Sequence, residues 1–156
     1  MELELRLDPA DEEFVERVGR FFEADAAPRT SGRMIGLLLL APGELSIDEI
    51  AERLRVSRAS VSTNARQLEQ WGIVERVSHT GDRRDYYQIS PDIGERTLER
   101  ALQGIGSMVR RLRQGQQTVA GRSQVVQDRF AGTISFHERA MDVVSDLLGQ
   151  VRARRG

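Results

Sequence analysis

The apolar and polar positions between residues 46 and 71 follow the pattern of two short helices joined by a tight turn. The apolar side chains of the first helix recur at helical spacing and share one face: Ile47, Ile50, Ala51 and Leu54. Ser46 and Glu49 predict a capping box at its start, in which each side chain bonds the backbone amide of the other residue. The chain breaks at residues 55–57, where Ser57 predicts the cap of a second helix over residues 58–71.

The second helix has two faces of opposite character. Val61, Ala65 and Leu68 share an apolar face. The outer face is small, polar and free of carboxylates over about its first three turns, so it would not repel phosphates and could approach the floor of a DNA major groove. A helix pair that belongs only to a core is the alternative, and the segment that follows the pair argues against it.

Two short strands follow this helix pair directly. Gly72 predicts a helix stop, and residues 73–77 and 86–89 alternate in the manner of strands. The polar loop between them carries Gly81, Arg83 and Arg84 near its tip. A helix-turn-helix followed by such a β-hairpin is a winged helix. The predicted fold class is therefore mainly α with a small β-hairpin, the wing.

The remaining pattern predicts further helices. Helix 8–25 carries an aromatic stripe, and Ser31 is expected to cap a buried helix over residues 32–41. Ser90 is expected to cap another, with Pro91 at its first position. A last helix, residues 124–152, repeats apolar side chains at the spacing of a coiled-coil seam: Val126, Phe130, Ile134, Met141, Val144, Leu148 and Val151, with His137 among them.

These helices present more apolar surface than a small winged domain covers, which predicts a homodimer. The expected division is an N-terminal dimerisation helix at 8–30, a winged helix-turn-helix DNA-binding domain at 31–90 and a C-terminal helical dimerisation region at 91–156. Residues 1–7 are given no element.

Composition narrows the functional classes. The net charge is −1, which argues against a general polyanion binder, but residues 1–50 carry −7, residues 51–90 carry +2 and residues 91–156 carry +4. Without cysteine, disulfides, thiolate metal sites and thiol redox sensing are excluded.

His137 is expected to be a hydrogen-bonded core residue, and no metal or other cofactor is predicted. With neither a signal peptide nor a membrane-spanning run in the sequence, a cytoplasmic protein is expected.

At this point the sequence resembles the MarR family of bacterial transcription regulators, and more closely its GbsR-like branch. The segments that carry the resemblance are FVERVG at 14–19, PRTSGR at 28–33, VSRASVSTN at 56–64, WGIVER at 71–76 and GDRRDYY at 81–87. The resemblance covers about residues 10–100. It implies a symmetric dimer whose recognition helices enter successive major grooves of a palindromic operator, about 34–36 Å apart. One departure is Arg55, where many helix-turn-helix units have glycine.

The resemblance also implies roles in the wing. The family's Asp-x-Arg pattern is met by Asp82 and Arg84. It implies that Arg84 reaches the minor groove or its phosphates and that Asp82 holds the guanidinium in place. The predicted DNA-binding residues are Ser57, Arg58, Ser60, Ser62, Thr63, Asn64, Arg66, Gln67, Arg83 and Arg84. For Asn64, which lies nearer the core side, a local hydrogen bond and a DNA contact are equally open.

The sequence thus predicts a DNA-binding transcriptional regulator, a repressor that acts as a homodimer on double-stranded DNA. A small-molecule effector is a further possible partner, because the family usually places such a site between the dimer helices and the winged domain. Candidate lining residues are Phe14, Phe21, Phe22 and Trp71, which are equally good core residues. The alternative function is a winged-helix protein–protein module without DNA binding. An enzyme is not expected, because no Gly-rich nucleotide loop, nucleophile–base pair or metal cluster is visible.

Overall fold

A computed structural model describes residues 6–154 of the chain, so residues 1–5 of the unassigned segment 1–7 lie outside it, as do residues 155–156. The chain divides between residues 93 and 94 into two compact units. The elements up to the division are α1 (Pro9–Ala24), α2 (Arg29–Leu40), β1 (Leu45–Ser46), α3 (Ile47–Leu54), α4 (Arg58–Gln70), β2 (Val74–Val77) and β3 (Tyr86–Ile89). The last two are α5 (Ile93–Thr118) and α6 (Gln124–Ala153). The predicted fold, mainly α with a small wing, is confirmed.

The wing belongs to a three-stranded antiparallel sheet in the order β1-β3-β2. β2 and β3 form the predicted hairpin, with Val74 opposite Ile89 and Val77 opposite Tyr86. β1, which pairs Leu45 with Tyr87, is not among the predicted strands. Two residues are too few to show a period of two, so only the pairing with β3 reveals this strand. β1 joins the wing to the start of α3.

The core of the first unit is built around α2. Met34 and Leu37 of this helix are fully buried. Helices α3 and α4 also contribute fully buried side chains to this core: Ile50, Leu54, Val61, Ala65 and Leu68. The central, buried position predicted for this helix is confirmed, although Leu39 remains 54% exposed. α4 therefore rests its apolar face on the unit's core and leaves its opposite face outside.

Helices α1 and α2 approach each other through glycines. A methyl group added at Gly32 would lie 2.6 Å from the carbonyl oxygen of Val18 and 2.9 Å from the Cα of Gly19. One added at Gly36 would lie 3.0 Å from the Cα of Val15. Only residues without side chains allow backbones this close, so the glycines fix where α1 lies on α2.

The predicted helix starts are partly confirmed. The amide of Ser46 donates to Glu49 Oε2 at 2.8 Å and the amide of Glu49 donates to Ser46 Oγ at 3.3 Å, which forms the capping box of α3. Two other predictions were wrong. α2 begins at Arg29, so Ser31 lies inside the helix and is buried rather than capping it. α5 begins at Ile93, so Pro91 lies in the turn before it.

In the second unit, α5 and α6 form an antiparallel pair joined by side chains. Arg152 of α6 contacts Glu95 and Glu99 of α5 at 2.6 and 2.5 Å, and Arg113 pairs with Glu138 nearer the other end. In the part of the chain that the structure describes, this unit buries just three apolar side chains: Val109, Ile134 and Leu148.

The predicted seam of α6 is partly used within the chain itself. The Phe130 ring lies over Gly115 of α5, and the Met141 methyl lies beside Gly106. At these positions the seam contacts α5 of its own chain. His137 is half-buried with its Nδ1 atom 2.8 Å from the Thr133 carbonyl, so it has the expected hydrogen bond but lies outside the core. A different stripe of α6 is exposed: Val125, Phe136, Val143 and Leu147, at 58, 61, 68 and 46%.

Candidate nucleic-acid interface

The outer face of α4 is formed by short polar side chains at its N-terminal end. Ser57 caps the helix, since its Oγ accepts from the amide of Ser60 at 3.1 Å. The side chains of Ser57, Arg58, Thr63 and Arg66 are exposed, and those of Ser60, Ser62 and Gln67 are half-buried. No carboxylate lies on the helix before Glu69. The positive end of the helix dipole and this acid-free surface both favour an anionic ligand.

The two arginines of α4 have different surroundings. Arg58 forms an ion pair with Asp48 of α3, with 2.8 Å between Nε and Oδ1, yet 73% of its side chain is exposed. Arg66 donates from Nη2 to Ser62 Oγ at 3.2 Å. Both contacts are on the surface, where ion pairs and hydrogen bonds are weak and exchange readily with a ligand.

Asn64 is turned toward the core. Its side chain is only 7% exposed, its Nδ2 donates to the Ser60 carbonyl at 2.8 Å, and its Oδ1 accepts from Ser31 Oγ at 2.7 Å. The sequence left open a local hydrogen bond and a DNA contact for this side chain, and the structure shows the local hydrogen bond. The buried Asn64 side chain therefore connects α2 to α4, and it is not proposed as a DNA contact.

The turn between α3 and α4 has a left-handed residue where glycine is common. Arg55 has φ 55° and ψ 45° and caps the C-terminus of α3. The amide of Val56 donates to the Ala51 carbonyl at 3.0 Å, and Arg33 of α2 donates from Nη2 to the Leu54 carbonyl at 2.9 Å. The turn therefore has the geometry of a glycine-type helix end with arginine in the strained position.

At the wing tip, Asp82 and Arg84 form a compact pair. The Asp82 carboxylate accepts from the Arg84 amide at 2.9 Å, from Nε at 3.1 and 3.0 Å, and from Nη2 at 2.7 Å. Arg83 beside it is exposed. The contact that the resemblance implied between Asp82 and Arg84 is present, and the approach of Arg84 to DNA remains a prediction.

Three residues behind this pair were not singled out as site residues from the sequence. Tyr86 donates its hydroxyl to Asp82 Oδ2 at 2.7 Å, and its ring centroid lies 5.3 Å from the Arg84 guanidinium carbon. His79 packs edge-on against the same ring, and its Nε2 lies 2.6 Å from Glu44 Oε1. The sequence signal that could have found Tyr86 is its place at the first position of the strand that follows the Asp-x-Arg pattern.

These contacts stabilise the charges at the wing. Hydrogen bonds from the Arg84 side chain, and then from its amide and from Tyr86, hold the pKa of Asp82 well below its usual range. The same partnership raises the pKa of Arg84, and donation to Asp82 raises the pKa of the Tyr86 phenol. Asp82 and Arg84 therefore both stay charged across the whole pH range in which proteins bind nucleic acids.

The other residues considered in the sequence analysis lie apart from this surface. Phe22 and Trp71 are half-buried against the core, whereas Phe14 and Phe21 are 38 and 65% exposed. Within residues 6–154 no group of three His, Cys, Asp or Glu side chains is placed to hold a metal ion. None of the described helices is both long enough and apolar enough to cross a membrane.

Comparison with known proteins matches this geometry to a family of regulators. The family model described as MarR family matches residues 28–85, which include α2 to α4 and most of the wing. The HTH-type transcriptional regulator MmpR5 of Mycobacterium tuberculosis is 35% identical over 157 aligned positions, which cover 96% of this chain and 91% of that protein. The HTH-type transcriptional repressor OpcR of Bacillus subtilis is 24% identical over 86 positions, 55% of this chain and 46% of that protein.

One solved structure is similar over nearly the whole chain. It is the crystal structure of a transcriptional regulator, with a TM-score of 0.83 and 30% sequence identity, covering 93% of this chain and 99% of that one. The similarity therefore extends through both long C-terminal helices and is not confined to the winged helix.

Proposed function

The chain belongs to the MarR family of DNA-binding transcriptional regulators, and from that premise we propose that it is a homodimeric repressor of the GbsR-like branch that binds a palindromic operator. One observation carries the proposal: the acid-free outer face of α4 and the arginine-bearing wing tip belong to one compact unit. A recognition helix and a wing supplied by one compact unit can contact adjacent grooves of a duplex together.

The proposed contacts divide into two groups. Ser57, Arg58, Ser60, Ser62, Thr63, Arg66 and Gln67 of the α4 region face the major groove, and Arg83 and Arg84 face the minor groove or its phosphates. Serine and threonine hydroxyls discriminate poorly between bases, so Arg66 and Gln67 supply most of the base readout. Arg58 exchanges Asp48 for a backbone phosphate when DNA binds, because the exposed ion pair costs little to break.

Two-fold symmetry is supported by the apolar surface that remains exposed in a single chain. Val125, Phe136, Val143 and Leu147 repeat along one side of α6 and are all about half-exposed or more. The helices α5 and α6 contain 26 and 30 residues and bury three apolar side chains among the described residues. So little buried apolar surface does not stabilise two long helices, and a second copy of the chain supplies what is missing.

Repression would follow from occupancy of a promoter by this dimer. The relative OpcR is itself named a repressor. A small-molecule effector would relieve repression if it binds more tightly to a dimer whose recognition helices are wrongly spaced for the operator. The half-buried Phe22 and Trp71 and the exposed Phe14 and Phe21 are the candidate apolar side chains for such a site.

The decisive experiment is to select genomic DNA fragments with the purified protein and to sequence the bound sites. We expect an inverted repeat with half-sites one helical turn apart and an affinity that falls steeply with salt, because several arginines displace counterions from phosphate. Transcription from the selected promoter should fall when the protein is added. Equal binding to selected and random duplexes at moderate salt would favour a protein–protein module and overturn the proposal, and a rise in transcription would overturn repression alone.

A further inference from the structure

Tyr86 connects the exposed charges of the wing to the sheet. It is the first residue of β3, the middle strand, and its backbone pairs with Ser46 on one side and Val77 on the other. Its hydroxyl donates to Asp82 Oδ2 at 2.7 Å, and the same carboxylate binds the amide and guanidinium of Arg84. Through Asp82, the phenol thus connects a strand paired on both edges to the exposed arginine.

The Tyr86 ring is itself held in place. The Arg84 guanidinium carbon lies 5.3 Å from the ring centroid, within the range of a cation–π contact. The His79 ring packs edge-on at 5.0 Å and 78°. His79 in turn lies 2.6 Å, from Nε2 to Oε1, from Glu44, which immediately precedes β1. His79 and Arg84, from the loop between β2 and β3, therefore restrain the tyrosine, and Glu44 beside β1 holds His79.

We infer that Tyr86 is a positioning residue for DNA binding, which sets the direction of the Arg84 guanidinium before DNA arrives. An arginine on a hairpin has many rotamers, and ordering it on binding reduces affinity. The contacts with Asp82 use Nε and Nη2, so the Nη1 side of the guanidinium remains for an acceptor on the duplex. The inference rests on the proposed function, because the direction of Arg84 affects affinity only if Arg84 contacts DNA.

Asp82 alone does not supply this restraint. It lies two residues from Arg84 on the same loop, next to Gly81, which has φ 86°. The contacts between Asp82 and Arg84 fix these two side chains relative to each other, but not relative to the sheet. Attachment to the Tyr86 hydroxyl fixes the carboxylate relative to the sheet, and so fixes the pair as a whole.

The test is the effect of Tyr86→Phe on affinity for the selected duplex, measured with Arg84 present and in an Arg84→Ala background. This change removes the hydroxyl and keeps the ring. We expect affinity to fall about 3- to 10-fold with Arg84 present and less than about 2-fold in the Arg84→Ala background. Tyr87→Phe, the same change at the buried neighbour on β3, is the matched control and should leave affinity unchanged.

Equal losses in the two backgrounds, or no loss in either, would overturn the inference, because a general structural role or no role would then explain the data. Thermal unfolding of each variant separates a folding defect from a change in binding. The NMR signal of the Arg84 Nε–H gives a second measurement without DNA. The Nε–H proton should exchange slowly with water in the parent protein, and its signal should be broadened in Tyr86→Phe. An unchanged signal would refute the positioning role. If no duplex is selected at all, the proposed function fails while this signal still decides the wing geometry.

Discussion

Ser31 of α2 donates its hydroxyl to the side-chain oxygen of Asn64 of α4 at 2.7 Å, and both residues are buried. The Asn64 amide group is bonded in turn to the Ser60 carbonyl, one turn earlier on α4. This chain of bonds fixes the rotation of the recognition helix about its axis relative to the helix at the centre of the core.

Ser31→Ala should lower the free energy of unfolding by about 1–3 kcal/mol, because it leaves the buried Asn64 oxygen without a donor. Denaturant unfolding of the variant checks this. Ser78→Ala, at an exposed position after β2, is the control and should have little effect. A variant as stable as the parent would mean that a water or another donor replaces Ser31. Affinity for the selected duplex should also fall, since the rotation of α4 is no longer fixed.

Arg55→Gly should raise stability, by up to about 1 kcal/mol, because glycine adopts the left-handed conformation without the steric cost that arginine has there. Arg55→Ala should have no such effect, since alanine is strained in the same way, and this separates backbone strain from loss of charge. Glu52→Gly, at an exposed position inside α3, should instead lower stability by about 1 kcal/mol. Thermal unfolding measures all three. Equal effects of Gly and Ala at position 55 would show that the charge, not the strain, matters.

Gly32→Ala should destabilise the protein by about 1–3 kcal/mol, because the added methyl meets the backbone of α1, which cannot yield as a flexible side chain would. Gly104→Ala is the matched control. It lies inside α5 with nothing within 4 Å of the added methyl, and it should stabilise by up to about 1 kcal/mol through helix propensity. Opposite signs for the two substitutions in thermal unfolding are the expected result. A neutral Gly32→Ala variant would show that α1 is free to move away from α2.

The part of the site that the sequence predicts well is the part encoded locally. The capping box joins two residues three positions apart, Ser46 and Glu49, and the apolar face of Val61, Ala65 and Leu68 repeats within a single helix. Each is determined by interactions between near neighbours in sequence, so period and cap residues suffice to place α3 and α4.

The missed features depend on residues far apart in the chain. Serine is a common helix-capping residue, so the sequence suggests a cap at Ser31. Only the contact with Asn64, 33 positions later, shows that Ser31 is a buried residue that connects α2 to α4. Likewise His79 and Glu44 are 35 positions apart and meet because β1 pairs with β3. In α6 the period correctly indicates apolar surface, but period alone does not say which stripe contacts α5 and which remains exposed.

Acid should weaken the attachment of α1 to α2 through Glu16. This carboxylate accepts from Arg29 Nη2 at 2.6 Å and lies 2.6 Å from Arg33 Nε, out of line for a hydrogen bond to the latter, so that contact is an ion pair. The hydrogen bond from Arg29, reinforced by both positive charges, lowers the pKa of Glu16 below its ordinary value of 4.5. The folded state therefore binds fewer protons than the unfolded state near that pH. The stabilisation is complete above the ordinary pKa and is lost as pH falls through the lowered one.

The measurement is the difference in unfolding free energy between the parent and Glu16→Gln from neutral pH to about pH 3. The parent should be more stable at neutral pH, and the difference should shrink below about pH 4.5. Glu13→Gln is the control, because Glu13 forms a surface pair with Arg17 on its own helix and should change stability little. A difference between parent and Glu16→Gln that stays constant with pH would contradict the assignment.

The exposed stripe of α6 gives the last prediction. Val143 is 68% exposed in a single chain and lies on the side of α6 that a second copy of the chain covers in the proposed dimer. Val143→Glu would bury a charge in that interface and should convert a dimer into a monomer in sedimentation at micromolar concentration. Because a monomer contacts one half-site, affinity for the selected inverted repeat should fall by about 100-fold or more. Ser145→Glu introduces the same charge at an exposed position on another side of α6 and should leave both the dimer and the affinity intact. A parent that sediments as a monomer, or a Val143→Glu variant that still dimerises, would show that this stripe is not the interface.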